Sequence, residues 1–583
     1  MKNKIKVLVL LIIFSGSYAC EDVLDRKPLD KISDENVWKD QSLMEAYIFD
    51  LYALLPSRYW IDEYHYTDEG TGSSPNTNAM TQGSMDKNNT VGNLEYWDYS
   101  VIRRCNVFLE NMDGAPLTDA VKKKFEGEVR AMRAFSYFEM VKRYGGVPLV
   151  TEVLDPRAPI EPENQQRATE VAIHDFIDTE YAAAIELLEQ TAAIKPTARI
   201  NKWTVLALKA RSNLYAASIA KYGSVQIDGI VGVPASRANE FFEKASDAAE
   251  QVINSGLYSL YQKHDDLGKN YQYIFLDEGN SEIIFAREYN GIEVKHNWDY
   301  WKAPNNFCSG QGSRANPLVE LMLSYENIDG SVEDYTQYFG PGNLWDDAHD
   351  LFKRKDPRMF GTVLMQGSLF QNYAMQFYDG IDTGTDPNPA NIVSSTSLKY
   401  QGYPQIGIDS RLTIGDDRNT NSGLLIRKWC DEPKLPIPQE TSQVDWVIMR
   451  LAEVWLTHAE AEFQLGRLPQ AATSLNKTRE RAGISLLDET TISLPKIQNE
   501  WMVEFAFENK RFWDLRRWRI AEDVLNHPMK GMSTIWHFAS NKYYFLLINA
   551  EGFNRVFRPE HYYNPISTSR LNNNVLLVQN PLY

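Results

Sequence analysis

The feature that most constrains the fold of this chain is a series of apolar stripes at helical spacing that come in pairs. Within each stripe, large apolar side chains stand three or four positions apart, which places them on one face of an α-helix. The paired stripes lie at 44–55 with 99–109, 118–144 with 168–190, 203–217 with 242–252, and 451–463 with 471–482. One such pair cannot cover its own apolar face, so the pairs must stack on one another.

Small residues occupy positions where a neighbouring helix has to come close, for example Ala207, Ala210 and Ala459. This combination of large and small side chains is typical of tetratricopeptide-type repeats. Four pairs satisfy the minimum of about three repeats that a stable stack requires. We therefore predict a mainly α fold in which four tetratricopeptide-like helix pairs form the scaffold.

The segment between the third and fourth pairs, residues 256–445, has a different composition. It is rich in Gly, Pro, Asn, Asp and aromatic residues and carries few helical stripes. Two apolar runs, at 282–286 and 361–364, predict short strands. A long irregular segment inside a folded chain usually carries function, so we expect a large loop-rich lobe that binds the ligand.

The predicted organisation of the chain follows from these segments. It is a signal peptide at 1–19, helix pairs one to three within 20–255, an irregular ligand-binding lobe at 256–445 and the fourth pair within 446–583.

The N-terminus has the features of an export signal. Three lysines precede an apolar run from Val7 to Phe14, which is too short to cross a bilayer as a helix. Small residues then lead directly to Cys20. This order predicts a lipoprotein signal that is removed, with Cys20 as the lipidated first residue of the mature chain. A plain secretory signal that happens to precede a cysteine is the alternative, and in both cases the chain leaves the cytoplasm.

Charge and cysteine content exclude several classes of protein. The net charge of −18 argues against nucleic-acid binding, which needs clustered Lys and Arg to neutralise phosphates. Beyond Cys20, only Cys105, Cys308 and Cys430 are present, and none of them forms a CxxC motif. Neither a zinc knuckle nor a disulfide framework is therefore indicated, and the pairing of these thiols stays open.

Eight segments, in order, resemble motifs of the SusD/RagB family of outer-membrane nutrient-binding lipoproteins. The family's signature helix is matched by EVRAMRAFSYFEMVKRYGGVPLV (128–150). The other seven are YSVIRRCNVFLENM (99–112), NKWTVLALKARSNLYAA (201–217), NPLVELMLSYENIDG (316–330), FKRKDPRMFGTVL (352–364), RLAEVWLTHAEAEFQLGR (450–467), EFAFENKRFWDLRRW (504–518) and PISTSRLNNNVLLVQNPLY (565–583). Together they extend over the whole mature chain.

This resemblance implies a SusD-like fold and a role at the cell surface. SusD-like proteins capture glycans and act as a lid on a SusC-like TonB-dependent transporter. The repeat face would dock on the transporter and leave the irregular lobe free for ligand. Glu21 and Asp22 resemble the surface-export signal of Bacteroidota lipoproteins. We therefore expect a lipid-anchored protein of the outer membrane that faces the exterior and binds a poly- or oligosaccharide.

The motifs themselves have the pattern of a packed scaffold. Gly145 and Gly146 are expected to end the helix of 118–144. Within 504–518, the apolar residues predict one helix face. The charged residues of this segment are spaced for i,i+4 ion pairs, namely Glu504, Glu508, Arg511 and Arg516.

No familiar catalytic motif occurs in the sequence. A GxSxG elbow, an HExxH helix and a GxxxxGK[ST] phosphate loop are all absent, so we predict a protein that is not an enzyme. His458 and Glu462 stand at i,i+4 without a third ligand, which favours a packed or solvated helix over a metal site. The Asp-rich loop 379–386 leaves a weak possibility of Ca²⁺ and lacks the terminal Glu of an EF-hand. No other cofactor is indicated.

Sugar binding requires flat aromatic side chains beside fixed polar groups, because sugar rings present C–H faces and hydroxyls. The best candidate is Trp298-Asp299-Tyr300-Trp301, with Tyr289, Asn290 and Asn297 nearby. The segment shows no clear helix or strand period. Ligand contact and a buried loop anchor both explain its aromatic residues. We predict ligand contact by Trp298, Tyr300 and Trp301.

Two further segments complete the predicted ligand-binding set. The insertion within the first helix pair contains Trp60, Tyr64, Tyr66, the acidic dipeptide Asp68-Glu69 and Trp97, which could instead cap the following helix. The loop 366–412 contains Tyr373, Tyr378 and Tyr400. Cys308, in the Gly-rich stretch just after the aromatic segment 298–301, could line the pocket of that segment, or be a buried inert thiol. We therefore also predict ligand contact by Asp68, Trp97, Cys308, Tyr378 and Tyr400.

Two alternative functions stay open at this point. A repeat scaffold that organises a transporter complex would bind no glycan and would have no use for exposed tryptophans. A surface glycosidase would need a carboxylate pair, which cannot be recognised from the sequence of so acidic a chain.

Overall fold

The structure, a computed structural model, describes residues 37–583 except 57–61, 75–76, 156, 189–196, 309 and 414–417. Cys20 and the predicted signal peptide lie outside the described residues, as does Trp60. The α-helices of the described part are α1 (Gln41–Leu54), α2 (Tyr99–Met112), α3 (Asp119–Tyr144), α4 (Pro162–Gln165), α5 (Glu170–Leu187), α6 (Lys202–Tyr222), α7 (Ala238–Asn254), α8 (Leu267–Tyr273), α9 (Trp298–Lys302), α10 (Val319–Ser324), α11 (Ala348–Phe352), α12 (Arg358–Thr362), α13 (Leu451–Gln464), α14 (Leu468–Ala482), α15 (Leu494–Glu504), α16 (Arg511–Arg517), α17 (Ala521–Leu525) and α18 (Thr568–Asn573).

The strands are fewer and mostly very short. They are β1 (Gly70–Thr71), β2 (Ile283–Arg287), β3 (Asn316–Pro317), β4 (Val363–Leu364), β5 (Leu369–Phe370), β6 (Tyr373–Ala374), β7 (Tyr378–Asp382), β8 (Ile392–Val393), β9 (Lys399–Tyr400), β10 (Tyr403–Pro404), β11 (Leu425–Ile426), β12 (Trp446–Arg450), β13 (Lys530–His537) and β14 (Lys542–Asn549). The predicted strands at 282–286 and 361–364 correspond to β2 and β4. The fold is mainly α, as predicted.

Six helices form one continuous stack. The predicted partners α3 and α5, α6 and α7, and α13 and α14 pack against each other. In addition, α5 contacts α6, and α7 contacts α13, so the fourth pair stacks directly on the third although the chain leaves the stack for nearly 200 residues between them. Helices α1 and α2 pack on α3. Within the described part, no helix combines the length and the apolar character needed to cross a membrane.

Helix α3 shows how the sequence sets the helix ends. The Thr118 side chain accepts a hydrogen bond from the Val121 amide at its start. The helix ends at Gly145, which has a φ of +73°, as the Gly-Gly pair predicts. Gly146 cannot be replaced by a larger residue, because a Cβ there would lie 1.9 Å from the carbonyl oxygen of Ala168.

The two ends of the irregular lobe are joined by a pair of antiparallel strands. Strand β2 pairs antiparallel with β12, with Trp446 opposite Arg287 and Arg450 opposite Ile283. Helix α13 begins at the next residue, Leu451. The segment between the two strands is therefore held at both ends where it enters and leaves the helix stack.

The C-terminal hairpin contributes to the same lobe. Strands β13 and β14 pair antiparallel, and β13 runs parallel to β7 in a four-stranded sheet of order β14-β13-β7-β8. This sheet joins residues on both sides of the expected lobe boundary at residue 445.

Segment 504–518 was predicted to form one helix face with i,i+4 ion pairs, and the structure shows neither feature among these residues. Helix α15 ends at Glu504, and α16 begins only at Arg511, because Phe507 and Asn509 between them have positive φ values of 62° and 56°. The apolar residues therefore do not share one helix face. The predicted i,i+4 ion pairs are also absent among these described residues, since Glu504, Glu508 and Arg511 each bind charged partners far away in sequence.

Glu504 is the centre of a fully buried cluster of charges. Its carboxylate binds Arg450 at 2.5 Å and Arg358 at 2.7 Å, and it also pairs with Arg481. Arg450 reaches Glu282 and Glu508, at 2.8 Å and 2.7 Å. The three arginines hold the pKa of Glu504 far below its usual range, although burial alone would raise it.

We predict that Glu504→Gln lowers the free energy of unfolding by about 3–5 kcal/mol, because three buried guanidinium groups lose a charged partner. Urea unfolding followed by tryptophan fluorescence measures this change. The matched control is Glu489→Gln at an exposed position, which should change stability by less than about 0.5 kcal/mol. Equal unfolding midpoints for Glu504→Gln and the parent would contradict the role assigned to this cluster.

Candidate functional site

The predicted aromatic segment forms the short helix α9, which is held in place by its buried side. Trp298 is only 3% exposed and packs edge-on against Trp429, with ring centroids 6.4 Å apart. Trp429 in turn stacks on Trp446 at 4.9 Å. The next residue, Asp299, is also buried and accepts a hydrogen bond from the Asp431 amide at 2.9 Å. Trp298 is thus the buried anchor of this segment, and its predicted ligand contact is not supported by its position.

Tyr300 and Trp301 lie on the opposite side of α9 and are half-exposed. Their rings meet edge to face, with centroids 4.9 Å apart. The guanidinium carbon of Arg314 lies 4.1 Å from the centroid of Trp301. The Arg314 amide donates to the Trp301 carbonyl at 3.0 Å, which fixes this arrangement through the backbone. We call Tyr300, Trp301 and Arg314 the α9 surface.

The structure brings part of the N-terminal insertion to the α9 surface. Lys302, at the end of α9, donates to Asp62 at 2.8 Å and to the Tyr64 hydroxyl at 2.9 Å. His65 follows Tyr64 and is half-buried, with its ring edge-on to Tyr64. Burial lowers the pKa of His65 to about 4, so its imidazole is neutral at physiological pH.

The predicted acidic dipeptide has a structural role. Asp68 is buried and accepts two hydrogen bonds from Arg511, at 2.9 Å and 2.8 Å, so it fastens the insertion to α16. Glu69 is buried beside it and accepts from the Phe507 amide at 3.2 Å. Burial, with a contribution from the charge of Asp68, raises the pKa of Glu69 to about 8. Because both carboxylate oxygens of Asp68 are bonded to Arg511, the position of Asp68 does not support its predicted contact with ligand.

Cys308 lies beneath the loop that follows α9. Its thiol is buried and donates to the carbonyl groups of Ala303 and Pro304, at 3.2 Å and 3.1 Å. Burial raises the pKa of the thiol to about 12, which leaves it protonated and unreactive. Cys105 and Cys430 are buried free thiols as well. The structure places Cys308 as an inert core residue, the alternative weighed from the sequence.

Two other predicted aromatic residues have different surroundings. Trp97 is half-exposed and packs edge-on against Tyr144 at 4.9 Å, with Arg570 5.7 Å from its ring centroid. Tyr373 lies near the α9 loop, 5.9 Å from Phe307. Asn306 of that loop binds Asp409 at 2.7 Å. Ligand contact by Trp97 stays a prediction.

A second aromatic group stands on the four-stranded sheet. Tyr378 is buried against Trp536, and Tyr400 packs on Phe538, with centroid distances of 5.6 Å and 5.1 Å. Tyr403 contacts both Trp536 and Phe538 and is 52% exposed, and it is not among the residues predicted from the sequence. Trp536 and Phe538 come from the C-terminal hairpin, and only the β7–β13 pairing shows that they belong here.

The residues considered for metal binding are engaged in other contacts. His458 bonds to Ser474 at 2.8 Å, and Glu462 binds Ser246 and Arg467 at 2.7 Å and 3.0 Å. In the Asp-rich loop, Asp382 accepts from the amides of Gly384 and Asn388. Across the described ranges, no three His, Cys, Asp or Glu residues are grouped to hold a metal ion. Calcium binding stays an untested expectation.

Comparison with known proteins agrees with this architecture. The sequence model of the SusD family matches residues 281–583, and a second model, described as "Starch-binding associating with outer membrane", matches residues 22–214. The chain belongs to the SusD family.

Individual relatives span most of the chain. The starch-binding protein SusD of Bacteroides thetaiotaomicron is 32% identical over 495 residues, which cover 83% of this chain and 76% of that protein. A SusD-like protein of Formosa agariphila is 24% identical over 567 residues, covering 91% of this chain and 94% of the relative. The crystal structure of a SusD-like protein from Bacteroides fragilis superimposes with a TM-score of 0.73 at 24% identity, covering 95% of this chain and 100% of that one.

We predict that Glu69→Gln changes the pH dependence of stability. Folded Glu69 keeps its proton up to a pH of about 8. The unfolded carboxyl loses its proton above roughly pH 4.3. The folded parent is therefore penalised as the pH rises between these values, by up to ~1.4 kcal/mol per pH unit, and the glutamine variant is not. Urea unfolding at about pH 5, 6, 7 and 8 should show the variant gaining stability relative to the parent as the pH rises.

Asp68→Asn provides the comparison, because it leaves Arg511 buried without its charged partner. This variant should be less stable than the parent over the whole range. A stability difference between Glu69→Gln and the parent that does not change with pH would show that Glu69 is ionised in the folded chain.

Proposed function

We propose that this protein is a non-catalytic glycan-binding lipoprotein that holds a poly- or oligosaccharide on the α9 surface. The observation that carries the proposal is the pair of half-exposed rings, Tyr300 and Trp301, on a helix whose other side is buried. Such a mounting keeps the rings fixed in the absence of ligand, so little side-chain entropy is lost on binding. Flat rings of this kind match the C–H face of a sugar.

Polar groups close to the rings suit the hydroxyls of the same ligand. His65, which bonds to the backbone of Arg314, contributes a neutral imidazole. Arg314, over the Trp301 ring, adds donors in a rigid fork. Aromatic faces flanked by fixed donors and acceptors are the chemistry by which proteins recognise carbohydrates.

Carboxylates near the α9 surface favour binding over hydrolysis. A glycosidase of the usual kind needs one acid to protonate the leaving group and a second as nucleophile or base. Asp62 is paired with Lys302, Asp299 is buried and bonded to a backbone amide, and Asp409 accepts from Asn306 and from the Gln376 amide. These acids are committed to holding the loops.

Membership of the SusD family supports the rest of the proposal. The starch-binding relative gives a precedent for glycan as ligand, and the second family model associates its members with the outer membrane. We propose that Cys20 carries the lipid, that the protein faces the cell exterior, and that it delivers glycan to a SusC-like TonB-dependent transporter. A scaffold without glycan binding is the second candidate, which the half-exposed rings disfavour.

We predict that Trp301→Ala weakens glycan binding by about 10- to 100-fold, because it removes one stacking face and the seat of Arg314. Isothermal titration with the glycan selected from a polysaccharide panel measures the loss. Trp301→Phe should retain most of the affinity. Trp203→Ala, which removes a half-exposed tryptophan of the helix scaffold, is the matched control and should bind like the parent. Unchanged affinity in Trp301→Ala would refute the site.

A separate prediction concerns attachment. Cys20→Ala should move the protein from the membrane fraction to the soluble fraction, because the lipid is the proposed anchor. Fractionation, with protease treatment of intact cells to report surface display, tests this. Membrane attachment that survives the substitution would contradict lipidation at Cys20 and would leave glycan binding by the purified protein unaffected.

A further inference from the structure

A cleft of about 1130 Å³ opens in the irregular lobe, and none of the predicted site residues lines it. Its walls come from α8, α12, the hairpin of β5 and β6, and the segment 427–435. The volume is of the size that holds several sugar units, or any other small organic ligand. The chemistry of the lining therefore has to identify the class of ligand.

Flat rings form part of the wall. His349 and Phe360 both line the cleft. Their rings are stacked, with centroids 4.8 Å apart and an angle of 17° between the ring planes. Tyr273 lines the cleft from α8 and is half-exposed, with the Lys269 ammonium 5.2 Å from its centroid. The wall of the cleft thus contains aromatic side chains from separate elements, and such rings can pack against the C–H faces of a sugar.

Charged and amide side chains line the cleft beside Leu267, Leu369 and Leu435, and the charges balance. Arg427 binds Glu432 at 2.8 Å, so neither carries an unpaired charge. Glu432 also accepts from Gln272 at 3.0 Å and from the Gln371 amide at 3.3 Å. The other charged groups at the cleft are Lys269 and Asp266, one of each sign. Burial lowers the pKa of His349, so its imidazole is neutral as well.

Balanced charge disfavours ligands that carry their own charge. To pair with Arg427, a phosphate, a sulfate or a uronate would have to displace Glu432, which would leave a carboxylate beside the incoming anion. An apolar ligand would cover the charged side chains of Lys269 and Asp266 and remove water from them. A neutral molecule with many hydroxyls can instead bond to these groups in place of water while its C–H faces cover the rings.

The cleft is distinct from the α9 surface but shares its support. Asp431, next to Glu432, donates its amide to Asp299 of α9, and Trp429 packs on Trp298. The turn 429–432 therefore lies between the two places, with α9 on one side and the cleft on the other.

We propose that this cleft is a second carbohydrate site, which takes a neutral oligosaccharide. The class of ligand, carbohydrate, rests on the proposed function. The position of the site rests on the geometry of the cleft alone. It makes the chain bivalent toward a long glycan, with one contact at the α9 surface and one in the cleft.

The test is isothermal titration of the purified full chain with maltoheptaose, laminarihexaose and hexagalacturonate, of which the first two are neutral. Two variants act on the cleft. Tyr273→Ala removes a ring, and Leu369→Arg adds bulk and charge from a position that is 58% exposed and so leaves the fold intact. Tyr300→Ala/Trp301→Ala removes the α9 surface. Circular dichroism and unfolding midpoints confirm that each variant is folded.

The expected result is two equivalents of a neutral oligosaccharide per parent chain and one equivalent in each type of variant. A parent that binds one equivalent, lost in the α9 variant and unchanged in both cleft variants, would overturn the cleft and leave the proposed function standing. Loss of oligosaccharide binding in the cleft variants alone would support the cleft as a binding site and refute binding at the α9 surface. Binding of hexagalacturonate alone, or of none of the three sugars, would overturn the inference.

Discussion

A buried charge cluster around Glu504 connects the ends of the irregular lobe to the helix stack. Its members come from parts of the chain that are far apart: Glu282 precedes β2, Arg358 begins α12, Arg450 ends β12, and Arg481 lies in α14. Removing such charges from water is costly, and the cost is recovered only when every partner is in position. The cluster therefore favours one arrangement of the lobe's ends against the helix stack over its alternatives.

Glu508 connects the charge cluster to the candidate sites. Glu508 belongs to the cluster and also binds Lys428, which in turn donates to the Tyr271 hydroxyl at 2.9 Å. Lys428 directly precedes Trp429, the aromatic support of α9, and Arg427, the guanidinium of the cleft. The charged core thus holds Lys428 in place, and with it the neighbouring residues that support α9 and line the cleft.

The sequence predicted the scaffold well because helix pairs carry a local signal. The stripes of α3, α5, α6, α7, α13 and α14 repeat at 3.6 residues, and periodicity needs no knowledge of the partner. The failures lie where partners are remote. Arg511 was expected to pair within its own segment and instead binds Asp68, more than 440 positions away. The parallel pairing of β13 with β7, and with it the aromatic group around Trp536, carries no local mark in the sequence.

The aromatic segment at 298–301 shows why the sequence alone could not assign buried and exposed positions to its residues. Four positions are too few for a period to be read, so the sequence could not tell which rings face inward. In the structure these residues are a single helical turn in which Trp298, Asp299 and Lys302 are buried, at positions i, i+1 and i+4. That spacing is one face of a helix, and it leaves Tyr300 and Trp301 on the other. Once the segment is known to be helical, its own sequence assigns the anchor and the exposed pair. The missing information was the turn itself, whose buried side packs through Trp298 on Trp429, a residue 131 positions further along the chain.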